Sequence, residues 1–101
     1  MAANKMRPIH PGEILREEYL APLDMSANAL AMALHVPAPR INDIVRERRA
    51  VTPDTALRLA RYFGTTAQFW LNLQSSFDLK QAAGELGKKI EQEIRPLGRM
   101  A

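Results

Sequence analysis

Residues 26–49 have the sequence SANALAMALHVPAPRINDIVRERR, which is the pattern of two short helices joined by a tight turn. Ser26 can cap the first helix, which we expect to run through Leu34. The turn His35-Val36-Pro37 follows, and the second helix is predicted from about Ala38 to Glu47. A DNA-binding helix-turn-helix needs a small residue where its helices cross, an apolar residue in the turn and a second helix with one buried face. The residues that meet these needs are Ala31, Val36, Ile41 and Ile44.

The segments on either side of this motif also have helical patterns, and no alternating strand pattern appears. Upstream, His10-Pro11-Gly12 predicts the start of a helix that ends at Ala21-Pro22, because proline suits the first helical position. Downstream, Thr52-Pro53-Asp54 supplies a capping hydroxyl, a proline and an acid, and Gly64 supplies a stop. Helical periodicity predicts the residues that face the core in each helix. They are Ile14, Leu15 and Tyr19 in the upstream helix, and Ala56, Leu59, Ala60 and Phe63 in the downstream helix. In the first helix of the motif they are Leu30, Ala31 and Leu34.

The C-terminal third of the chain contains two further helical segments. Thr66 can cap a fifth helix, and a final helix is predicted from Asp78 onward. The predicted fold is all-α, a compact five-helix bundle with a helix-turn-helix and a C-terminal helical extension. We expect an N-terminal arm over residues 1–8, a helix-turn-helix domain over 9–77 and a helical tail over 78–101.

The charges of the chain are distributed unevenly. Its 101 residues carry a formal net charge of +3. Between Arg40 and Arg61 lie arginines 40, 46, 48, 49, 58 and 61 but only three acids, Asp43, Glu47 and Asp54. A local basic cluster of this kind indicates a polyanionic partner, although a merely solvated helix face is the alternative. The segment from Glu13 to Asp24 has the opposite balance, with four acids, Glu13, Glu17, Glu18 and Asp24, and one arginine, Arg16.

Catalytic and cofactor chemistry is not indicated by the residues present. Cysteine is absent, and the only histidines, His10 and His35, do not have metal-ligand spacing. There is no glycine-rich phosphate loop and no nucleophile elbow. The adjacent Glu17 and Glu18 point to different faces of a helix and cannot act as an acid–base pair. We therefore expect a protein that is not an enzyme and that binds no cofactor, metal or small-molecule ligand.

The predicted location is the cytoplasm, with association to the nucleoid when DNA is bound. Residues 1–7 are polar and lead into no apolar segment of the kind found in signal peptides. No stretch approaches the roughly 18 consecutive apolar residues of a membrane span. No membrane association is expected.

Three quoted segments resemble the HigA-type antitoxins, also known as virulence-associated protein I, of the lambda-repressor-like or XRE helix-turn-helix superfamily. The first segment is Pro8-Ile9-His10-Pro11-Gly12-Glu13-Ile14-Leu15, the second extends from Thr52 to Thr65, and the third is Phe69-Trp70-Leu71-Asn72-Leu73-Gln74. The resemblance covers about residues 6–80. It implies a dimeric antitoxin that binds a small HigB- or RelE-like RNA-cleaving toxin and represses its own operon. Two positions depart from the family pattern: His35 stands where glycine is usual, and Pro37 stands where a capping serine is usual.

The resemblance also implies which residues contact DNA. Ala38, Pro39, Arg40 and Asp43 occupy the positions at which this superfamily contacts base edges. A guanidinium can bond bidentately to guanine, so Arg40 is the best candidate for base recognition, and Asp43 could accept from cytosine or only orient Arg40. Phosphate contacts, which add affinity without sequence information, are expected from Ser26, Asn28, Asn42, Arg46, Arg48 and Arg49.

The helical segments from Phe69 onward carry apolar residues on more than one face. Such residues belong either to the core of the bundle or to a dimer interface, since a chain of this length has difficulty burying them all. The predicted interface residues are Phe69, Trp70, Leu73, Phe77, Leu79, Leu86 and Ile90.

The predicted function is that of an antitoxin-type repressor whose homodimer binds a palindromic operator on double-stranded DNA. The alternatives are a stand-alone phage-type repressor and a toxin-binding module that no longer binds DNA, for which Pro37 and Pro39 are the only support. A basic toxin would be repelled by the basic cluster, so we expect it to contact the acidic side of the chain. The residues predicted for that contact are Glu13, Glu17, Glu18 and Asp24.

Overall fold

The computed structural model describes residues 7–97, and every regular element in that range is helical. Helix α1 consists of an α-helical turn over Pro11–Ile14, a π-helical segment over Leu15–Leu20 and a final turn over Ala21–Leu23. The remaining helices are α2 (Ala27–Leu34), α3 (Ala38–Val45), α4 (Pro53–Phe63) and α5 (Ala67–Glu93). The predicted all-α class is confirmed. Residues 1–6 of the predicted arm and 98–101 of the predicted tail lie outside the described range.

One hydrophobic core lies among the helices. Helix α3 packs on α2, α4 packs on α5, and α1 contacts both α3 and α5. Leu30, Ala31 and Leu34, the inward positions predicted for α2, are all buried. The rest of the buried apolar side chains are Leu15, Leu20, Ile41, Ile44, Val51, Ala56, Leu59 and Trp70. The core therefore includes the facing sides of both helices of the predicted motif.

The start of α1 lies directly against the end of α3. A Cβ added at Gly12 would lie 1.8 Å from the carbonyl oxygen of Ile44, so only glycine allows this close approach. His10 caps α1, because its Nδ1 accepts a hydrogen bond from the backbone N–H of Gly12 at 2.8 Å. The His10 ring also packs edge-on against Phe77, with 4.8 Å between the ring centroids. Burial of this ring lowers the pKa of His10.

Two helix ends differ from the predicted ones. Helix α1 continues past Ala21-Pro22 to Leu23, and Asp24 then ends it in a left-handed conformation with φ of 53°. The π-helical segment ends at Leu20, two residues before Pro22, whose ring is incompatible with regular α-helical hydrogen bonding. Helix α3 ends at Val45 rather than Glu47, because Glu47 itself adopts a left-handed φ of 63°.

Helix α5 is one continuous helix of 27 residues, so the two segments predicted on either side of Asp78 are joined. Its first half is anchored in the bundle. Trp70 is fully buried and its Nε1 donates to the hydroxyl of Thr65 at 2.8 Å. Gln74 accepts a hydrogen bond from the backbone N–H of Val51 at 2.8 Å and donates one to Asp78 at 2.9 Å.

The second half of α5 leaves the bundle. Every residue from Gln81 to Glu93 is exposed except Gly87, which is half-buried. The described chain measures 54 × 23 × 22 Å, so one dimension is more than twice each of the others. The predicted C-terminal extension is therefore the continuation of α5, and its separation as a tail at residue 78 stays a prediction.

Candidate nucleic-acid interface

The start of α2 is capped and tied to α3 by side chains. The hydroxyl of Ser26 accepts a hydrogen bond from the backbone N–H of Ala29 at 3.0 Å, as its predicted capping role requires. The side-chain amide of Asn42 donates to Asn28 at 2.7 Å and to the carbonyl of Ala38 at 3.0 Å. Ser26 and Asn28 are exposed and Asn42 is half-buried. Three of the residues predicted to contact phosphates therefore lie together where α2 begins beside α3.

The turn between α2 and α3 passes through a left-handed residue at the position where the family usually has glycine. His35 adopts the left-handed region with φ of 59°, the conformation that explains why glycine is usual at this position. The backbone N–H of Val36 bonds to the carbonyl of Ala31 at 3.0 Å, which holds the half-buried Val36 side chain against the core. Pro37 is the N-terminal flanking residue of α3 and provides no side-chain hydrogen bond.

Arg40 is paired with the first turn of α4. Its Nη1 forms an ion pair with Oδ2 of Asp54, and its side chain is 30% exposed. Asp43 does not orient Arg40, contrary to one predicted role. The nearest cation to Asp43 within residues 7–97 is Arg49, at 3.5 Å. The side chain of Pro39 is exposed, whereas those of Ala38, Arg40 and Asp43 are half-buried.

The end of α3 presents a group of cations to solvent. Arg46, Arg48 and Arg49 are all exposed. The backbone N–H of Arg48 bonds to the carbonyl of Asp43 at 2.8 Å, which fixes the turn that carries them. Arg16 of α1 also reaches this turn, where it donates to the carbonyl of Val45. The role of Arg16 was missed in the sequence, because its partner lies 29 residues further along the chain.

The described residues form neither a metal-binding cluster nor a membrane-spanning helix. No group of three or more His, Asp or Glu side chains within residues 7–97 could hold a metal ion. None of the helices in this range combines the length and apolar character needed to cross a membrane.

The helix-turn-helix arrangement, followed by exposed arginines, agrees with a match to the family described as Helix-turn-helix, over residues 15–70. The chain belongs to the helix-turn-helix family. The virulence-associated protein I of Dichelobacter nodosus is 67% identical over 79 residues, which cover 78% of this chain and 73% of that protein. The antitoxin HigA-1 of Vibrio cholerae is 35% identical over 79 residues, which cover 78% of this chain and 74% of that protein.

Solved structures of family members have the same fold. The Pseudomonas aeruginosa antitoxin HigA with the higBA promoter has a TM-score of 0.90 and 60% identity, covering 91% of this chain and all of that one. The antitoxin GraA in complex with its operator has a TM-score of 0.87 and 51% identity, covering 93% of this chain and 95% of that one. These relatives confirm the predicted HigA-type resemblance and the helix-turn-helix fold. They also confirm the classification as a non-enzymatic regulator.

The predicted dimer residues are divided between the core and the surface of this family member. Trp70 is fully buried within its own chain and has no surface to offer a partner. Phe69, Leu73 and Phe77 are half-buried against the bundle. Leu79, by contrast, is 70% exposed, and Leu86 and Ile90 are each 46% exposed. The apolar stripe of α5 is therefore open to solvent mainly beyond Phe77.

The acidic side of α1 is partly neutralised within the chain. Glu13 forms two hydrogen bonds of 2.8 Å with Arg7, and these hold the pKa of the Glu13 carboxyl below its usual range. Glu17 pairs with Arg16 at 2.9 Å. Glu18 and Asp24 are exposed and form no ion pair within residues 7–97. The four predicted toxin-contact residues are therefore not equivalent.

Proposed function

We propose that this chain is a HigA-type antitoxin that binds the operator of its own operon through α3. The observation that carries the proposal is a helix-turn-helix in which the exposed Arg46, Arg48 and Arg49 directly follow α3, and whose geometry matches family members solved with promoter or operator DNA. The major groove of B-DNA admits one α-helix, and α3 has an apolar side in the core and a polar side at the surface. Such binding would take place in the cytoplasm, at the nucleoid.

In this proposal one set of side chains contacts base edges and a second set contacts phosphates. Ala38, Pro39, Arg40 and Asp43 face base edges, and the Arg40 guanidinium donates to O6 and N7 of a guanine. Ser26, Asn28, Asn42, Arg46, Arg48 and Arg49 contact phosphates and fix the register of α3 on the duplex. The first three of these lie beside the capped start of α2, where free backbone N–H groups add to the attraction for phosphate.

The proposal is tested by fluorescence anisotropy with the promoter duplex upstream of the operon that contains the chain's gene, compared with a scrambled duplex of equal length. We expect the natural duplex to bind at least about a thousandfold more tightly at physiological salt, as specific DNA-binding proteins do. Equal affinity for the two duplexes would contradict operator recognition and would favour a toxin-binding module without a DNA target. Specific DNA binding without any toxin partner would favour a stand-alone repressor.

We propose that two copies form a homodimer through α5. A lone helix of about a dozen residues is marginally stable in water, yet the second half of α5 leaves the bundle with Leu79, Leu86 and Ile90 exposed. A second copy of the same helix can cover this stripe, which continues from the half-buried Phe69, Leu73 and Phe77. Such a dimer would present two copies of α3 to half-sites about 34 Å apart.

The dimer is tested by light scattering on a Leu86→Glu/Ile90→Glu double variant. Its molar mass should fall from twice the chain mass of 11.3 kDa to that of one chain, because two carboxylates replace the apolar stripe. The matched control is Gln81→Glu/Gln92→Glu, which adds the same charge to exposed positions on the other side of α5 and should remain dimeric. A double variant that stays dimeric at micromolar concentration would contradict an interface on this stripe.

We propose that the RNA-cleaving toxin contacts the acidic side of α1. Because Glu13 and Glu17 are paired within the chain, the attraction for a basic partner comes mainly from Glu18 and Asp24. Glu18→Lys should slow toxin association severalfold at low salt and leave operator affinity unchanged. Lys substitution of the exposed Glu85 on α5 is the control for the same change in net charge. Equal association rates for the two variants would contradict this contact surface.

A further inference from the structure

A network of three side chains, Asp54, Arg58 and Arg40, joins three helices at the proposed DNA interface. Asp54, in the first turn of α4, accepts from Arg40 of α3 and from Nε of Arg58 at 3.1 Å. Arg58 in turn donates from Nη1 to the carbonyl of Leu34, the last residue of α2, at 2.8 Å. The path Leu34–Arg58–Asp54–Arg40 therefore connects the end of α2, the start of α4 and the side chain proposed to recognise a base.

The ion pair with Asp54 restrains the side chain of Arg40. The start of α3 has no side-chain cap, and Pro39 immediately precedes Arg40. A free arginine side chain samples many rotamers, and fixing it on binding costs conformational entropy. A charge-assisted hydrogen bond to a carboxylate limits that sampling before DNA arrives. Asp54 is suited to this because hydrogen bonds from Arg58 and then Arg40 hold the pKa of its carboxyl below its usual range.

The charge balance of the group keeps it attractive to DNA. One carboxylate is shared by two guanidiniums, so the three side chains together retain one positive charge. Asp54 and Arg40 are both accessible, with side-chain exposures of 54% and 30%. A phosphate or base can therefore approach Arg40 while Asp54 still holds one side of its guanidinium.

We propose that Asp54 is a specificity-determining residue of this DNA-binding surface, acting through Arg40. It holds the Arg40 guanidinium in an orientation that suits one base edge and keeps it from pairing with any nearby phosphate. The inference rests on the proposed operator binding. Without the Asp54 carboxylate, two guanidiniums become free to pair with phosphates, so binding to DNA of arbitrary sequence becomes stronger, while the natural duplex loses an oriented base contact and discrimination between sequences becomes weaker.

The test measures the ratio of the Kd for a scrambled duplex to the Kd for the natural upstream duplex, using the full chain. Asp54→Asn should lower this ratio about tenfold, within the range that one bidentate base contact provides. It should also tighten binding to the scrambled duplex by about threefold or more, because one negative charge near the phosphates is removed. Asp54→Glu, which keeps the carboxylate, should stay within about threefold of the natural ratio. The control Glu85→Gln removes the same charge from exposed α5 and should leave the ratio unchanged.

A double-mutant comparison separates action through Arg40 from a general effect on the fold. In an Arg40→Ala background, Asp54→Asn should change the ratio less than about twofold, because the residue on which it acts is absent. An unchanged ratio in Asp54→Asn, or an equal fall with and without Arg40, would overturn the role of Asp54. Weaker binding of Asp54→Asn to both duplexes would do so as well, since it indicates a structural role only. If the natural chain itself did not distinguish the duplexes, the proposed operator binding would fail too, so the two failures are distinguishable.

Discussion

Helices α2 and α3 are both eight residues long, but they are stabilised by different means. Helix α2 has local supports at both ends, the Ser26 cap and the left-handed His35, and it is rich in alanine. Helix α3 lacks a side-chain cap and contains Pro39 in its first turn. Its position depends on contacts with α1 and α4, through the close approach of Gly12, the Arg16 hydrogen bond to Val45 and the Arg40–Asp54 ion pair. The helix proposed to contact bases is therefore positioned by residues distant in sequence.

The largest effect is expected where α1 meets α3. Gly12→Ala should destabilise the fold by about 3 kcal/mol or more, because the new methyl group meets a backbone carbonyl that cannot move alone. Gly84→Ala is the matched control, since no atom lies within 4 Å of its added Cβ. It should leave stability unchanged or raise it by up to about 1 kcal/mol through helix propensity. Urea denaturation measures both, and equal stabilities would show that α1 does not restrict α3.

A smaller effect is expected at the cap of α2. Ser26→Ala should cost about 1 kcal/mol, because the backbone N–H of Ala29 loses its side-chain acceptor. Ser75→Ala, at an exposed position inside α5, tests whether removal of a hydroxyl matters by itself. It should be neutral or slightly stabilising. If Ser26→Ala were as stable as the natural chain, the local support that distinguishes α2 from α3 would be refuted.

Acid is expected to destabilise the fold by weakening the cap of α1. Because burial lowers the pKa of His10, the folded state binds this proton less readily than the unfolded state. The contribution of neutral His10 to the free energy of unfolding is therefore fully present above the pKa of histidine in the unfolded chain, about 6.5, and it decreases as the pH drops below that value. Protonation also occupies Nδ1, the acceptor for the Gly12 N–H. Thermal unfolding of the natural chain should show this loss between about pH 7 and 5.

His10→Asn is the control for the acid effect, since asparagine can cap the same helix but has no proton to bind in this range. Its unfolding temperature should vary less with pH than that of the natural chain over the same interval. Parallel profiles for the two proteins would assign the acid sensitivity to other groups and would show that the neutral His10 cap does not stabilise α1.

Most elements that depend on neighbouring residues could be predicted from the sequence, although the hydroxyl of Thr52, expected to cap α4, makes no capping hydrogen bond. Ser26 and Thr66 cap helices as expected, His35 takes the left-handed conformation, and Gly64 ends α4. These features are decided by local backbone geometry and by hydrogen bonds within a few residues. The α2 positions predicted to face the core were correct for the same reason, since helical periodicity determines which side is buried.

The features that depend on distant residues could not be predicted in the same way. Arg40 pairs with Asp54, 14 positions away, rather than with the nearby Asp43, because α4 brings its first turn beside α3. Gln74 bonds to Val51 across 23 positions, which explains the end of the Phe69–Gln74 motif only once α5 is seen against the bundle. The continuity of α5 through Asp78 was also missed, because Gly84 and Gly87 weaken the helical pattern without interrupting the helix.

Recognition of operator DNA by α3 is tested most directly by titrating Arg40→Ala and Arg49→Ala against the natural upstream duplex and single-base-pair variants of it. Arg40→Ala should lose about 1–3 kcal/mol and become indifferent to substitution at one base pair. Arg49→Ala should weaken binding to every duplex alike and reduce the slope of log K against log salt by about one. If both variants bound natural and scrambled duplexes as the unmodified chain does, α3 would not be the helix that contacts DNA.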